Sequence, residues 1–207
     1  GGWSAGGQLY PDWKERNFRI EPIWRPNDHF KVSHVYSHQD KYNERGWSGL
    51  IDNLPDGTPL SRTESVWAKR NNYSRTHVLN ASYVLDNRRG VTFRLRHYWS
   101  RVENGRFYFL DDEGLLDPTN DIALDDNGES MYDISYNAWS IDCVYRWIFA
   151  PGSELSVVWK NLLESQGDML PSTYADNLED VLRVPHRNSF SIKAIYFLDY
   201  ADITGRR

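Results

Sequence analysis

The run Tyr136-Asn137-Ala138-Trp139-Ser140-Ile141-Asp142-Cys143-Val144-Tyr145-Arg146-Trp147-Ile148-Phe149 decides the fold. Trp139, Ile141, Cys143, Tyr145, Trp147 and Phe149 fall on one side of an extended chain; Ala138, Ser140, Asp142, Val144, Arg146 and Ile148 fall on the other. A period of two belongs to a β-strand, whose successive side chains point to opposite faces. Ala150-Pro151-Gly152-Ser153 then turns the chain, proline supplying a fixed φ and glycine a permissive one. The return strand alternates Leu155, Val157 and Trp159 with Ser156, Val158 and Lys160.

The same plan occurs twice upstream. His77, Leu79, Ala81, Tyr83 and Leu85 form one stripe, Asp86-Asn87-Arg88-Arg89-Gly90 turns, and Val91, Phe93, Leu95, His97 and Trp99 return. The earliest pair, Phe18 to Arg25 and Phe30 to His38, is joined at Pro26-Asn27-Asp28-His29 and weakened by Pro22, which cannot donate to a ladder. A last strand runs from Asn188 to Tyr200. The expected strands are therefore 18–25, 30–38, 74–85, 91–101, 136–149, 153–161 and 188–200.

Alternation alone fits two architectures. A soluble sandwich buries the aromatic faces and wets the charged ones; a transmembrane barrel turns the aromatics to lipid and the charges to its lumen. Strand length, aromatics at strand ends (Trp24, Tyr36, Trp99, Phe149, Trp159, Tyr200) and loop parity favour the barrel. The turns at 26–29, 86–90 and 150–153 share one side, read as periplasmic, and the long connections 39–73, 102–135 and 162–187 share the other, read as external. The expectation is an all-β, antiparallel up-and-down transmembrane β-barrel. Seven spanning strands fall short of the even count of at least eight in single-chain bacterial barrels. The chain is therefore expected to be the C-terminal part of a larger barrel.

Composition agrees. The chain has 207 residues, a net charge of −5, nine Trp, thirteen Tyr and eight Phe. That charge argues against a general nucleic-acid binder, and a single cysteine, Cys143, excludes an internal disulfide framework. A mean hydropathy of −0.69 is compatible with a barrel, because only alternate strand residues meet lipid. No stretch reaches the roughly 18–20 apolar residues of a spanning helix, and Gly1-Gly2-Trp3-Ser4-Ala5-Gly6-Gly7 is not a signal peptide.

Residues Tyr145 to Asn161, Phe93 to Ser100 and Asn188 to Tyr200 resemble the C-terminal region of a large outer-membrane family of unknown function. The turn Ala150-Pro151-Gly152-Ser153-Glu154-Leu155-Ser156 is the most distinctive part. That family is common in Bacteroidota and carries an N-terminal domain similar to family-9 carbohydrate-binding modules ahead of a barrel region. The resemblance covers most of the chain, most specifically from about residue 90 onward. It implies a bacterial outer-membrane location and a longer parent protein, and it transfers neither a catalytic motif nor a sugar-binding residue.

Candidate site residues follow from the faces. Arg19, Glu21, Arg94, Arg96, Asp142, Arg146, Lys160 and Lys193 lie opposite the aromatic stripes, where a lumen wall would be. Such a wall favours anions if water-filled; if crowded, its arginines pair with Glu21, Asp142 and their neighbours, and this structural role is the preferred one. Asp125, Asp126 and Glu129, in the acidic run after Leu110, offer oxygen ligands for Ca²⁺, although a solvated acidic loop is the simpler reading. His34 and His38 lack an evident third zinc ligand. A short helix over 176–183, with a capping box from Thr173 to Asp176, is expected to pack on its own barrel mouth. The 39–73 excursion, with Trp47, Leu50, Ile51, Leu54 and Trp67, is expected to form a hairpin around Pro55-Asp56-Gly57 and to pack on itself.

The leading expectation is a non-enzymatic channel, receptor or envelope-complex subunit without a cofactor. Its partners would be outer-membrane lipid, other envelope proteins and the barrel upstream of residue 1. A soluble β-sandwich carbohydrate-binding module and an outer-membrane enzyme with its site in the external loops are the alternatives.

Overall fold

A computed structural model describes residues 12–54, 56–119, 132–167, 171 and 173–198. These form a single antiparallel sheet and one helix: β1 (Lys14–Ile20), β2 (Ile23–Trp24), β3 (Phe30–Asn53), β4 (Pro59–Val84), β5 (Arg89–Leu110), β6 (Leu116–Thr119), β7 (Ile134–Ala150), β8 (Ser153–Gly167), α1 (Tyr174–Arg183) and β9 (Arg187–Ile195). The path through the sheet is β1-β3-β4-β5-β7-β8-β9, with β2 on β3 and β6 on β5. Every expected strand has its counterpart on this up-and-down path. Pro22 lies between β1 and β2 and splits the first expected strand, its carbonyl accepting from the His34 amide at 3.1 Å.

The sheet is open. β1 and β9 each pair on one side only among the described residues, so these strands do not complete a barrel. Nor do the described residues contain a second sheet of the kind a sandwich would need.

The strands run much further than their apolar stripes. β3 and β4 have 24 and 26 residues and stay paired out to Asn53 and Pro59. At about 3.3 Å per residue, 24 residues extend roughly 79 Å. The segment 39–73, expected as an external loop, is thus mostly ladder, turning at 54–58 near the expected Pro55-Asp56-Gly57, of which Pro55 lies outside the described residues. Within the expected loops 102–135 and 162–187, residues 102–110, 134–135 and 162–167 likewise prolong β5, β7 and β8, while 116–119 form β6 and 174–183 form α1. Asn43 explains why period-two reading stops near His38. It sits at φ 58°, where the β3–β4 register shifts between Lys41 and Glu44. Asparagine tolerates this left-handed conformation, and an extra residue reverses the alternation beyond it.

Short side-chain hydrogen bonds make the turns. The amides of His29 and Phe30 both donate to Asn27 Oδ1 at 2.9 Å, and those of Arg88 and Arg89 to Asp86 Oδ1 at 2.8 Å. Asp111 Oδ1 accepts from Glu113 and Leu115 at 3.0 and 2.7 Å. The start of the acidic run is therefore turn chemistry joining β5 to β6.

Apolar packing is concentrated at the outer ends, where Val66, Ala68 and Phe107 are buried and Ile51, Phe109 and Tyr132 pack around them. Ile51 packs as expected of that excursion, while Trp47 and Leu50 stay exposed.

Helix α1 starts two residues before the expected 176 and ends at 183 as expected. Thr173 Oγ1 accepts from the Asp176 amide at 3.2 Å, the N-cap bond that satisfies an otherwise orphaned donor. Val181 is buried, whereas Leu182 is exposed and the polar Asn177 takes a buried place. The helix lies on the aromatic face of the sheet, at His77, His97 and Trp99. It thus packs on its own sheet, and the open sheet presents no mouth among the described residues.

Candidate functional site

Cross-strand register sorts the side chains into rows. On the polar face one row reads Ser33, Asn80, Arg94, Asp142, Lys160 and Ser189 across β3, β4, β5, β7, β8 and β9. The row nearer the short turns reads Lys31, Ser82, Thr92, Val144, Val158 and Ser191. These two rows floor a groove of about 750 Å³, lined by Lys31, Arg94, Asp142 and Lys160 among hydroxyls and the Asn80 amide. The sequence-level grouping of Arg94, Asp142 and Lys160 is thus a spatial one.

Pairing in the groove is incomplete. Lys160 Nζ lies 3.4 Å from Asp142 Oδ1, and this is the one ion pair of the groove among the described residues. Arg94 and Lys31 have no carboxylate at ion-pair distance among those residues. Adjacent strands stand about 4.8 Å apart, so Arg94 and Lys160 flank Asp142 at neighbouring ladder positions. Three cations and one carboxylate share this groove in a chain whose net charge is −5.

The other expected residues share the polar face but not the groove. Arg96 is one row outward and lines a separate cavity of about 690 Å³ with Glu164, His186 and Arg187. Arg146 and Lys193 occupy a row nearer the turns, on either side of Ser156, where Arg146 pairs with Glu154 at 2.5 Å. Arg19 is at the far edge and pairs with Glu21 at 3.4 Å. Asp125, Asp126 and Glu129 lie outside the described residues.

A family model described as a domain of unknown function, DUF5916, matches residues 7–206. The chain belongs to that family. Neither the curated proteins nor the solved structures contain a match to it.

The aromatic face of this DUF5916 domain carries a second cluster, under α1. His97 is 1% exposed. Its Nε2 lies 3.1 Å from Asn137 Oδ1, a carbonyl oxygen that can only accept, so the proton is on Nε2 and Nδ1 receives the Tyr174 hydroxyl at 2.8 Å. Asn137 and Asn177 exchange two amide hydrogen bonds of 2.8 and 2.9 Å. Trp139 Nε1 donates to Asn161 Oδ1 at 3.0 Å, and His186 bridges Asn161 Oδ1 and the Val181 carbonyl at 2.8 and 2.9 Å. His34 and His77 hydrogen-bond to each other at 3.1 Å, and His38 bonds Asp40 at 2.9 Å. The expected His34–His38 pair therefore finds separate partners. Among the described residues no group of three His, Cys, Asp or Glu side chains is placed to hold a metal ion.

Around His97 this cluster satisfies its own polar groups, which is what buried polar groups require. It fastens the helix. The polar groove differs in leaving charges unpaired beside open space, and that difference makes it the candidate site. The row of hydroxyls escaped recognition as site residues because serines and threonines on a strand are ordinary and register is needed to align them. Tyr174 and Asn177 gave no sequence signal linking them to His97 and Asn137.

Proposed function

We propose that this DUF5916 domain is a section of a non-enzymatic bacterial outer-membrane β-barrel, serving as channel, receptor or subunit of an envelope complex. One observation carries the reading: large apolar side chains of the aromatic face lie bare of any covering protein layer among the described residues. Phe190 and Ile192 are 75% and 74% exposed, and Phe18, Trp24, Tyr83 and Trp147 are also exposed. Contiguous apolar surface of this kind marks an interaction with lipid or protein, and the opposite face has the polar, charged character of a lumen wall.

Helix α1 takes up the part of the aromatic face around His97 and leaves the turn-proximal part to lipid. The long β3–β4 and β5 ladders project outward, since about 9–11 residues suffice for a crossing. Closure draws on further strands from a longer parent chain against the free edges of β1 and β9. The outer-membrane setting in Bacteroidota and an N-terminal carbohydrate-binding-like domain belong to the same reading, through the resemblance of the 145–161 and 188–200 segments.

The test is fractionation of the full-length protein from its host, followed by extraction. Recovery in the outer membrane, a requirement for detergent and a heat-dependent shift in electrophoretic mobility are the expected results. A monodisperse protein that stays soluble without detergent would defeat the barrel and favour a soluble binding module.

A further inference from the structure

We infer that the groove around Arg94 and Lys160 is a binding site for the oxyanion group of a solute, a phosphate or a carboxylate. The inference rests on the reading of the polar face as a water-filled wall and adds what that wall recognises.

Charge is the first ground. Lys31, Arg94 and Lys160 enter one groove with a single carboxylate, Asp142, which is within 3.4 Å of Lys160. Had the cations served only to hold the strands together, each would be expected to face an acid. Several cations elsewhere do: Arg19 has Glu21, Arg146 has Glu154, Arg75 has Asp40 and Arg62 has both Glu64 and Asp112. Arg94 has only Asp142 opposite it in register, and Lys160 engages that carboxylate, so the groove keeps an excess of cations.

Donor type is the second ground. A guanidinium offers a rigid fork of N–H groups matched to two oxygens of a carboxylate or phosphate, and an ammonium adds a point charge. Ser33, Ser82, Thr92 and Asn80 line the same groove and supply neutral donors for a third or fourth oxygen. A monatomic anion, with one centre, would engage fewer of these donors at once. Position is the third. Asp142 sits between Arg94 and Lys160 in the row, so an oxyanion that engages Arg94 and Lys31 approaches from the turn-proximal side, away from that carboxylate.

The test uses the full-length protein in a non-ionic detergent, with inorganic phosphate as the probe and its ³¹P line width as the readout. Phosphate is expected to broaden on adding protein and to be displaced by succinate if the site accepts carboxylates as well as phosphates; no displacement would restrict it to phosphates. In Arg94→Gln with Lys160→Gln, affinity is expected to fall by about tenfold or more, the scale of one lost charge-assisted hydrogen bond. Lys31→Gln gives an independent second variant. The inference is overturned if wild-type protein does not broaden the probe, if the variants bind equally, or if chloride at matched ionic strength displaces the phosphate. Heat-dependent mobility, measured on the same samples, reports separately on the barrel. A heat-shifting protein that ignores phosphate would sink the oxyanion site alone, and a phosphate binder that needs no detergent would sink the barrel alone.

Discussion

The Tyr174 hydroxyl donates to Nδ1 of His97 at 2.8 Å and so ties the first turn of α1 to the middle of β5 across 77 residues of sequence. Because His97 is buried, the bond's loss leaves a polar atom without a partner. Tyr174→Phe is expected to weaken helix docking by about 1–3 kcal/mol, read as faster amide exchange over residues 174–183 with the sheet unchanged. The phenol carries a pH signature too. Burial, with a small contribution from Tyr36, pushes its pKa up to about 12. The neutral form is favoured when docked, so docking is intact below pH 10 and is lost as pH rises from 10 towards about 12. Ultraviolet titration should show one tyrosine ionising late, and that late step should vanish in Tyr174→Phe.

Thr173 caps the same helix through its hydroxyl. Thr173→Ala should cost about 0.5–2 kcal/mol, whereas Thr173→Ser should be nearly silent. Proteolysis between the end of β8 and α1 is the readout. Equal cleavage in both variants would assign the stability to docking contacts alone.

Two glycines separate backbone strain from crowding. Gly57 and Gly152 both have positive φ, 86° and 72°, but a Cβ at Gly57 meets nothing within 4 Å. At Gly152 it would lie 2.9 Å from Cβ of Phe197, whose amide is held by Ser153 Oγ at 3.0 Å. Gly57→Ala should cost about 1–2 kcal/mol from φ alone, and Gly152→Ala distinctly more. The difference should appear in thermal unfolding of the two variants under matched detergent conditions.

Asp40 and Arg75 form a largely buried pair at 2.7 Å, with His38 and Tyr42 also on the carboxylate at 2.9 and 3.3 Å. Removing the charge in Asp40→Asn strands the guanidinium and should cost about 3–5 kcal/mol. Burial alone would push this carboxyl's pKa up. Hydrogen bonds from Arg75 and His38, with their charges, outweigh burial and hold it below the usual aspartate range. The sign follows: the stabilisation is present above about pH 4 and fades as pH falls through the lowered value. Acid unfolding of the wild type should therefore show a step that Asp40→Asn lacks.

The strands were readable where one face is apolar. Phe93, Leu95, His97 and Trp99 announce β5, and Asn27, Asp86 and Pro151-Gly152 announce its neighbours' turns. Beyond His38 the signal fails for a physical reason: Gln39, Asp40, Lys41 and Tyr42 are polar on both sides, and the shift at Asn43 then breaks the period. Ladder hydrogen bonds hold such segments without an apolar stripe to betray them. The same holds for the site. Arg94, Asp142 and Lys160 could be put on one face by counting, but their meeting depends on register between strands far apart in sequence. Asn177 was least legible, because an amide on a helix reads as solvent-facing until Asn137 is seen opposite it.

Each strand on the main path lies beside its neighbour along the chain. A sheet wired this way closes only sequence-local connections as it grows, the longest being 111–133 between β5 and β7, and closure entropy rises only slowly with such length. Assembly can then advance as a zipper from any hairpin, and a delay at one strand stalls only what lies beyond it. Until the last pair forms, the growing margin exposes unbonded amides and carbonyls able to recruit any extended chain. The speed of zippering thus governs how long the domain remains vulnerable to mispairing.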